Sequence, residues 1–456
     1  MGLFLQTRAR LLGQIGWVGS GFVTQQVLRL ATSVALAWLL APALLGTMLL
    51  INVLRTGAEL LTDVGISQSI INNKRGEDPN FLNTAWTMKI VRGVLLCAIG
   101  LAATFPLADL YDDPRFMVLL PVTAGIFIIS GLGSPARSVL QRRLEVKKLA
   151  QLDIGLAVSN FIVHVGLAMI TPTIWALIGA LWIGNALSAI ISFFLIKGHR
   201  HRLQFERAAA GEIFRFGKWI FFASLVFFFA SNFDRLYFAE AIPFAVLGIY
   251  GIARTFSEAI MQVFQRLGAM LVFPKVSTSS LRGAQLRASI LPLRRLVLLA
   301  SAAALAVAVT FADVFIMVAY DDRYLSAGIF LTILLVGTWF GILATLADAI
   351  MMGVGKPSII ASSNFAKLIA IVVSLPLLLP TYGLIAALMA FSAAEAVRYG
   401  MLVWQKRTVG LGFTRQDIMA TMTFLILAVL LREATGLVGL TTGVSGWIEA
   451  ARMAQI

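Results

Sequence analysis

Apolar residues run in long blocks along this chain, separated by short polar gaps. A helix needs about 20 mostly apolar residues to cross a bilayer. Blocks of that kind lie at 16–40, 43–66, 86–106, 116–136, 152–171, 174–196, 217–238, 244–270, 296–318, 326–351, 359–379 and 383–404, and they predict twelve spanning helices. A thirteenth, shorter block covers 418–432. The glycine-rich tail GLVGLTTGVSGWIEAARM reads as a marginal fourteenth helix or an interfacial segment.

The gaps alternate in charge. One set holds Lys74 and Arg75; Arg142, Arg143, Lys147 and Lys148; five basic residues between Lys197 and Arg215; five between Lys275 and Arg295; and Lys406, Arg407 and Arg415. The opposite gaps (APA, LADLYDDPR, TPT, AEAIP, AYDDRY and PTYG) hold only Arg115 and Arg323 among several aspartates. Cytoplasmic loops carry the lysine and arginine excess, which places the N-terminus in the cytoplasm. Arg8 and Arg10 precede a first block long enough to remain a helix, so no cleavable signal peptide is expected. The longest polar gap, 197–218, splits the twelve blocks six and six; within it GEIFRFGKW reads as a surface amphipathic helix or an ordinary loop.

Composition agrees. Of 456 residues, 59% are hydrophobic and 13% charged, with mean hydropathy +0.88; soluble domains carry about 25% charged residues. The fold class is therefore all-α and polytopic. The net charge of +15 does not signal nucleic-acid binding, because the basic residues sit in loops between apolar blocks rather than on one soluble face. The single cysteine, Cys97, allows no intramolecular disulfide. No P-loop is present, GVGKPS (353–358) reads as a turn, and three histidines make no metal cluster. No catalytic constellation is visible, so the chain is not expected to be an enzyme or to hold a cofactor. His164, mid-block, reads as a histidine bonded to a neighbouring helix, with a proton-relay role as the alternative.

Charges nevertheless recur inside the blocks. LRTGAELLTDV (54–64) and ARTFSEAIMQV (253–263) align Arg55 with Arg254, Thr56 with Thr255, Glu59 with Glu258, and Asp63 with Gln262. Each lies in the second block of its half, so the halves read as a parallel repeat, a common transporter plan. Both arginines fall roughly 15–18 Å into their blocks, near the midplane. The i, i+4 spacing places each arginine and glutamate on one helix face, where pairing lowers the cost of burying charge. Arg29 lies in block one, Asp234 and Arg235 toward the outer end of block seven, Asp348 in block ten, Lys367 in block eleven and Glu395 and Arg398 in block twelve. Lys89 and Arg92, near the start of block three, read as side chains that snorkel to the headgroups.

LAPALLGTML followed by ELLTDVGISQSIINNK, and FGKWIFFASLVFFFASNFDRLYFAEAIPFAVLGIYGIARTFSEAI with its Phe-Gly, Asn-x-Asp-Arg and Leu-Gly-x-Tyr pattern, resemble the oligosaccharide flippase (polysaccharide transport) family of the multidrug/oligosaccharidyl-lipid/polysaccharide exporter superfamily. The resemblance covers roughly residues 10 to 410 and rests on diffuse patterns. It implies two six-helix bundles, 1–196 and 219–404, in a V around a cavity, joined by a cytoplasmic linker at 197–218, with one or two further membrane segments in 405–456. It also implies alternating-access movement of a polyprenyl-diphosphate-linked oligosaccharide across the bacterial inner membrane, alongside membrane lipids and the polymerase and chain-length proteins of polysaccharide synthesis.

The residues suit that cargo. Buried cations offset the desolvation of a diphosphate, which makes Arg29, Arg55, Arg254 and Lys367 the candidate substrate-binding residues. Glu59, Glu258, Asp63, Asp234, Arg235 and Glu395 are candidate charge-pair residues, or carriers of coupling to H⁺ or Na⁺. A drug or cation antiporter of the same superfamily is the alternative; it would want unpaired acids in an apolar cavity. A non-transporting membrane scaffold would not need embedded charges repeated in both halves.

Overall fold

A computed structural model gives the structure of the chain. Its described residues are 2–62, 65–196 and 201–453 for the backbone, and for side chains the same set without 2–15, 18, 216–220, 222, 223 and 408. The described residues are helices joined by short turns, with no strand among them. In chain order they are α1 (Gly2–Leu39), α2 (Pro42–Leu61), α3 (Ile66–Asn72), α4 (Pro79–Ala102), α5 (Thr104–Leu110), α6 (Phe116–Leu132), α7 (Ala136–Arg142), α8 (Val146–Ile170), α9 (Ile174–Phe194), α10 (Arg207–Ala241), α11 (Phe244–Leu267), α12 (Phe273–Ser277), α13 (Gly283–Thr310), α14 (Ala312–Ala319), α15 (Ser326–Gly353), α16 (Pro357–Thr408), α17 (Thr414–Leu437) and α18 (Gly443–Met453).

Every apolar block lies on this series. Among the described residues, nine helices are long and apolar enough to span, or ten if the bent pair α6–α7 counts as one span. One of the nine, α16, carries blocks eleven and twelve together. Its break is at Gly383, where φ is 76°, a left-handed conformation that glycine adopts without Cβ strain. α18 has 11 residues, about 16 Å of helix, which is too short to cross some 30 Å of hydrocarbon.

Boundaries shift where caps override hydropathy. α4 starts at Pro79, with the Asp78 side chain accepting from the Asn80 N–H at 2.9 Å, seven residues before the apolar block begins. α10 starts at Arg207 and runs unbroken, so GEIFRFGKW is the first part of that one helix, neither a separate surface helix nor a loop. Ala209, Ala210 and Ile213 are buried against Ile70, Phe81, Leu82 and Val139.

The chain forms two compact units. The first comprises residues 1–225 with 239–242, and the second 226–238 with 243–456. In the first, α4 packs on α6, α1 on α8, and α8 on α9. α4 and α6 cross in backbone contact: a Cβ on Gly93 would stand 2.5 Å from the Phe127 carbonyl oxygen and 3.2 Å from the Gly131 Cα. In the second, α15 is the buried centre, packed by α11, α13 and α16, while α17 packs on α13. Trp339 of α15 stacks on Phe424 of α17 at 4.9 Å between ring centroids and donates to Thr421 Oγ1 at 2.9 Å.

Two ion pairs, one buried and one partly exposed, join α17 to its neighbours near opposite ends. Asp417 meets Arg294 of α13, and Arg432 meets Asp313 of α14. The thirteenth block is thus a built-in part of the second unit.

Candidate functional site

Both repeats of the Arg-Thr-x-x-Glu motif form the pair their spacing predicts. In the first unit Arg55 Nη1 lies 2.9 Å from Glu59 Oε1, with side-chain exposures of 22% and 34%. In the second unit Arg254 Nη2 lies 3.5 Å from Glu258 Oε1.

The second unit surrounds its copy with further charge. Arg254 Nε lies 3.3 Å from Asp234 Oδ2, and Arg235 Nη2 lies 2.6 Å from Glu258 Oε1. The Tyr250 hydroxyl donates to Asp234. Asp234 is fully buried and Arg235 nearly so; they belong to the packed interior of the unit rather than to an exposed mouth near the end of their helix. The Arg254 guanidinium lies 4.6 Å from the Phe391 ring centroid, and Lys367 Nζ stands 5.4 Å from the same ring. Lys367 pairs with Glu395 at 2.6 Å, Arg398 with Glu395 at 3.6 Å, and Arg398 also with Asp348.

Four helices, α10, α11, α15 and α16, thereby bring together Asp234, Glu258, Asp348 and Glu395 with Arg235, Arg254, Lys367 and Arg398. Four carboxylates face four cations, so the cluster carries no formal excess. Pairing of this kind makes charge tolerable in a low-dielectric interior.

The first unit is built differently. α1 places Arg29 partly buried, and Asp63 lies outside the described residues. Lys89 and Arg92 do not snorkel. With α4 starting at Pro79 they stand 10 and 13 residues inside the helix and turn inward. Lys89 Nζ donates to the Gly133 carbonyl at 2.9 Å, and Arg92 donates to Thr62 Oγ1 at 3.0 Å and to the Glu59 carbonyl. The break between α6 and α7 explains the first of these bonds. Residues 133–135 interrupt the helix with a 50° bend and leave the last α6 carbonyls unpaired along the axis. Trp86 Nε1 takes the Leu132 carbonyl at 2.8 Å, and Lys89, one turn on, takes that of Gly133. Ser192 Oγ accepts the Ser134 N–H at 2.7 Å, and His201 Nε2 lies 2.7 Å from Ser134 Oγ.

Hydropathy misplaced Lys89 and Arg92 because Asn80, Asn83, Thr84 and Thr87 make the first turns of α4 polar. The Asp-Pro pair at 78–79, an N-cap followed by proline at N1, was the signal for the true start. Those polar residues bind the linker: Asn83 Oδ1, Thr87 Oγ1 and Thr84 Oγ1 accept the N–H groups of Arg202, Gln204 and Glu206 at 3.0–3.2 Å. Arg75 ties the same segment through Glu206 at 2.8 Å and Asp78 at 3.1 Å. The Arg75 guanidinium holds Glu206 below the usual carboxylate range. Asp78 is lowered chiefly by the Asn80 N–H, with help from Arg75.

Comparison with known proteins places this architecture. A profile of the family described as polysaccharide biosynthesis protein matches residues 35–328, well over half the chain. The chain belongs to this family. Among curated relatives, it is 24% identical over 43% of its length to the lipopolysaccharide biosynthesis protein WzxC of Escherichia coli (strain K12), covering 40% of that protein. It is 20% identical over 66% of its length to the teichuronic acid biosynthesis protein TuaB of Bacillus subtilis (strain 168), covering 62% of that protein. The chain thus spans less than two thirds of the length of each of these relatives. Among solved structures, the lipid II flippase MurJ in an inward closed conformation superposes with TM-score 0.73 at 11% identity, over 95% of this chain and 98% of that one. An inward-facing multidrug resistance MATE family transporter of the MOP superfamily gives 0.60 at 13% identity, over 88% and 95%. These likenesses establish the fold, that of a multi-pass helical membrane protein.

Proposed function

We propose that this protein flips a polyprenyl-diphosphate-linked oligosaccharide across the bacterial inner membrane by alternating access, with its N-terminus cytoplasmic, for surface-polysaccharide synthesis. The family supports the process, and the relatives named for lipopolysaccharide and teichuronic acid synthesis support the class of cargo. The observation that carries the mechanism is Arg55. It is an embedded arginine held by Glu59 at 2.9 Å, with both side chains partly exposed.

A guanidinium so placed keeps N–H donors for a phosphoryl group, in bidentate geometry that lysine cannot match. Glu59 compensates the charge while the cargo is absent, and the diphosphate takes its place on arrival. Arg29 adds a second cation in the same unit. Arg254 and Lys367 act from within a neutral cluster, where an arriving anion competes with Asp234, Glu258 and Glu395. In the described part of the second unit the embedded carboxylates are all ion-paired, which favours an anionic cargo over the cationic substrate of a drug antiporter.

The test is Arg55→Ala and Arg55→Lys in a strain whose own flippase is deleted, with surface polysaccharide and membrane protein level measured together. Lost polysaccharide at normal protein level supports the reading. Unchanged export in both variants removes Arg55 from it.

A further inference from the structure

Behind the Arg55–Glu59 pair, α2, α4 and α6 enclose a recess of about 110 Å³, lined by Glu59, Lys89, Arg92 and Ser130, with Leu96 and Phe127 among its apolar walls. Its existence follows from the Gly93–Gly131 crossing. Backbones that touch there leave no side chain to fill the space beside them, and a Cβ on either glycine would press on the opposite backbone. Glu59 is already neutralised by Arg55. Lys89 faces Glu59 across the recess but forms no ion pair with a carboxylate of the described residues; its ammonium has three donors, and the neutral Gly133 carbonyl takes one.

Capping the end of α6 accounts for that single bond, but not for a polar recess kept open beside it. A water occupies about 30 Å³ in the liquid, so the space holds a few waters or one phosphoryl group. The recess also lies at a telling height. Lys89 stands two residues beyond Thr87, where the 201–206 linker is tied down, so it is near the end where a cargo made in the cytoplasm would enter.

We propose that this recess is a phosphoryl-binding seat in the first unit, with Lys89 donating to the phosphoryl oxygens, Arg92 adding positive potential and Ser130 supplying a hydroxyl. The inference rests on the flippase reading for the identity of the cargo, but the chemistry it names, an oxyanion of phosphorus, stands by itself. It assigns a contact with the diphosphate to the first unit, beside that of Arg55.

The experiment is calorimetric titration of inorganic pyrophosphate into the full-length protein in phosphatidylcholine nanodiscs. Lys89→Met should weaken binding about tenfold or more, as expected for loss of a charged hydrogen bond, while Lys89→Arg retains most of it. Ser130→Asp leaves the Lys89 cap in place and fills the seat with an internal anion, so it should weaken binding similarly even if Lys89→Met folds poorly. Unchanged affinity in Lys89→Met and Ser130→Asp, or no binding by the wild type, overturns the seat. Loss of wild-type binding when phosphatidylglycerol replaces phosphatidylcholine shows that ordinary headgroups occupy the recess, and it overturns the assignment to cargo. Failure of the wild type to restore export in a flippase-deleted strain, with pyrophosphate binding intact, would remove the flippase reading and leave the seat. Normal export with unaltered binding in the Lys89 variants does the reverse.

Discussion

Replacing Asp417 with leucine should loosen α17 from the second unit, and the structure sets both the size and the asymmetry of the effect. The Asp417 side chain is 4% exposed and pairs with Arg294, which is fully buried. Asp417 also accepts from the Tyr399 hydroxyl. Arg294 donates to Gln416 Oε1 at 2.8 Å and lies 4.7 Å from the Phe413 ring centroid. A second buried cation, Lys406, sits 5.3 Å over the Tyr399 ring, and its ammonium makes no hydrogen bond to the described residues. Asp417→Leu therefore leaves two buried cations and no anion between them, a loss of about 3–5 kcal/mol. Arg294→Leu should cost less, about 1–3 kcal/mol, because Lys406 is placed to take over Asp417. Lys406→Met should be neutral or slightly stabilising, since it removes a buried charge that no hydrogen bond compensates. At roughly 2–4 °C per kcal/mol for a unit of this size, Asp417→Leu should melt about 6–20 °C lower. Intrinsic-tryptophan scanning fluorimetry of the purified variants in lipid nanodiscs measures this order. Equal losses for Asp417→Leu and Arg294→Leu, or a large loss for Lys406→Met, would refute the reasoning.

Other expectations follow from the same geometry. Gly93→Ala places a Cβ 2.5 Å from the Phe127 carbonyl oxygen, so α4 and α6 must separate at a cost of about 1–3 kcal/mol; a melting point equal to wild type would contradict the crossing. Arg254→Ala strands the fully buried Asp234, at about 3–5 kcal/mol, whereas Arg55→Ala breaks a partly exposed pair worth about 1 kcal/mol or less. Membrane protein level should therefore fall for Arg254→Ala and hold for Arg55→Ala; the opposite order would refute the burial argument. Glu206 and Asp78 both ionise below their ordinary range in the folded protein, so the stability they lend the linker is present at neutral pH. It is lost as pH falls through the carboxylate range, below about 4. Hydrogen exchange across 201–213, corrected for intrinsic rate, should accelerate there, and a pH-independent protection factor would count against the tie.

Much of the architecture was legible because spanning helices must be long, apolar and uninterrupted by charged loops. Block spacing therefore located them, and the i, i+4 rule gave both arginine–glutamate pairs. Hydropathy failed where polar residues lie inside a helix for tertiary reasons. Asn80, Asn83, Thr84 and Thr87 bind the linker, so the window discounted the first turns of α4 and put Lys89 and Arg92 at the surface. Arg254 facing Asp234, Lys367 facing Glu395 and Arg398 facing Asp348 lie on other helices or several turns away, and no local spacing names these pairs. The ion pairs that fix α17 span more than a hundred residues each. Blocks eleven and twelve, by contrast, were separable: Gly383, with φ 76° and ψ −177°, breaks the helix between them where the hydropathy gap falls.

The central claim is that this chain moves a diphosphate-linked oligosaccharide between leaflets and that an embedded arginine handles the diphosphate. The direct measurement is leaflet exchange in proteoliposomes of a polyprenyl-diphosphate oligosaccharide whose fluorophore is quenched from outside. Wild-type protein should make the inner-leaflet pool accessible well above protein-free vesicles, and Arg55→Ala should retain about a tenth of that rate or less, as expected for loss of a charged hydrogen bond. Exchange no faster than in empty vesicles, or an Arg55→Ala rate equal to wild type, would contradict the account.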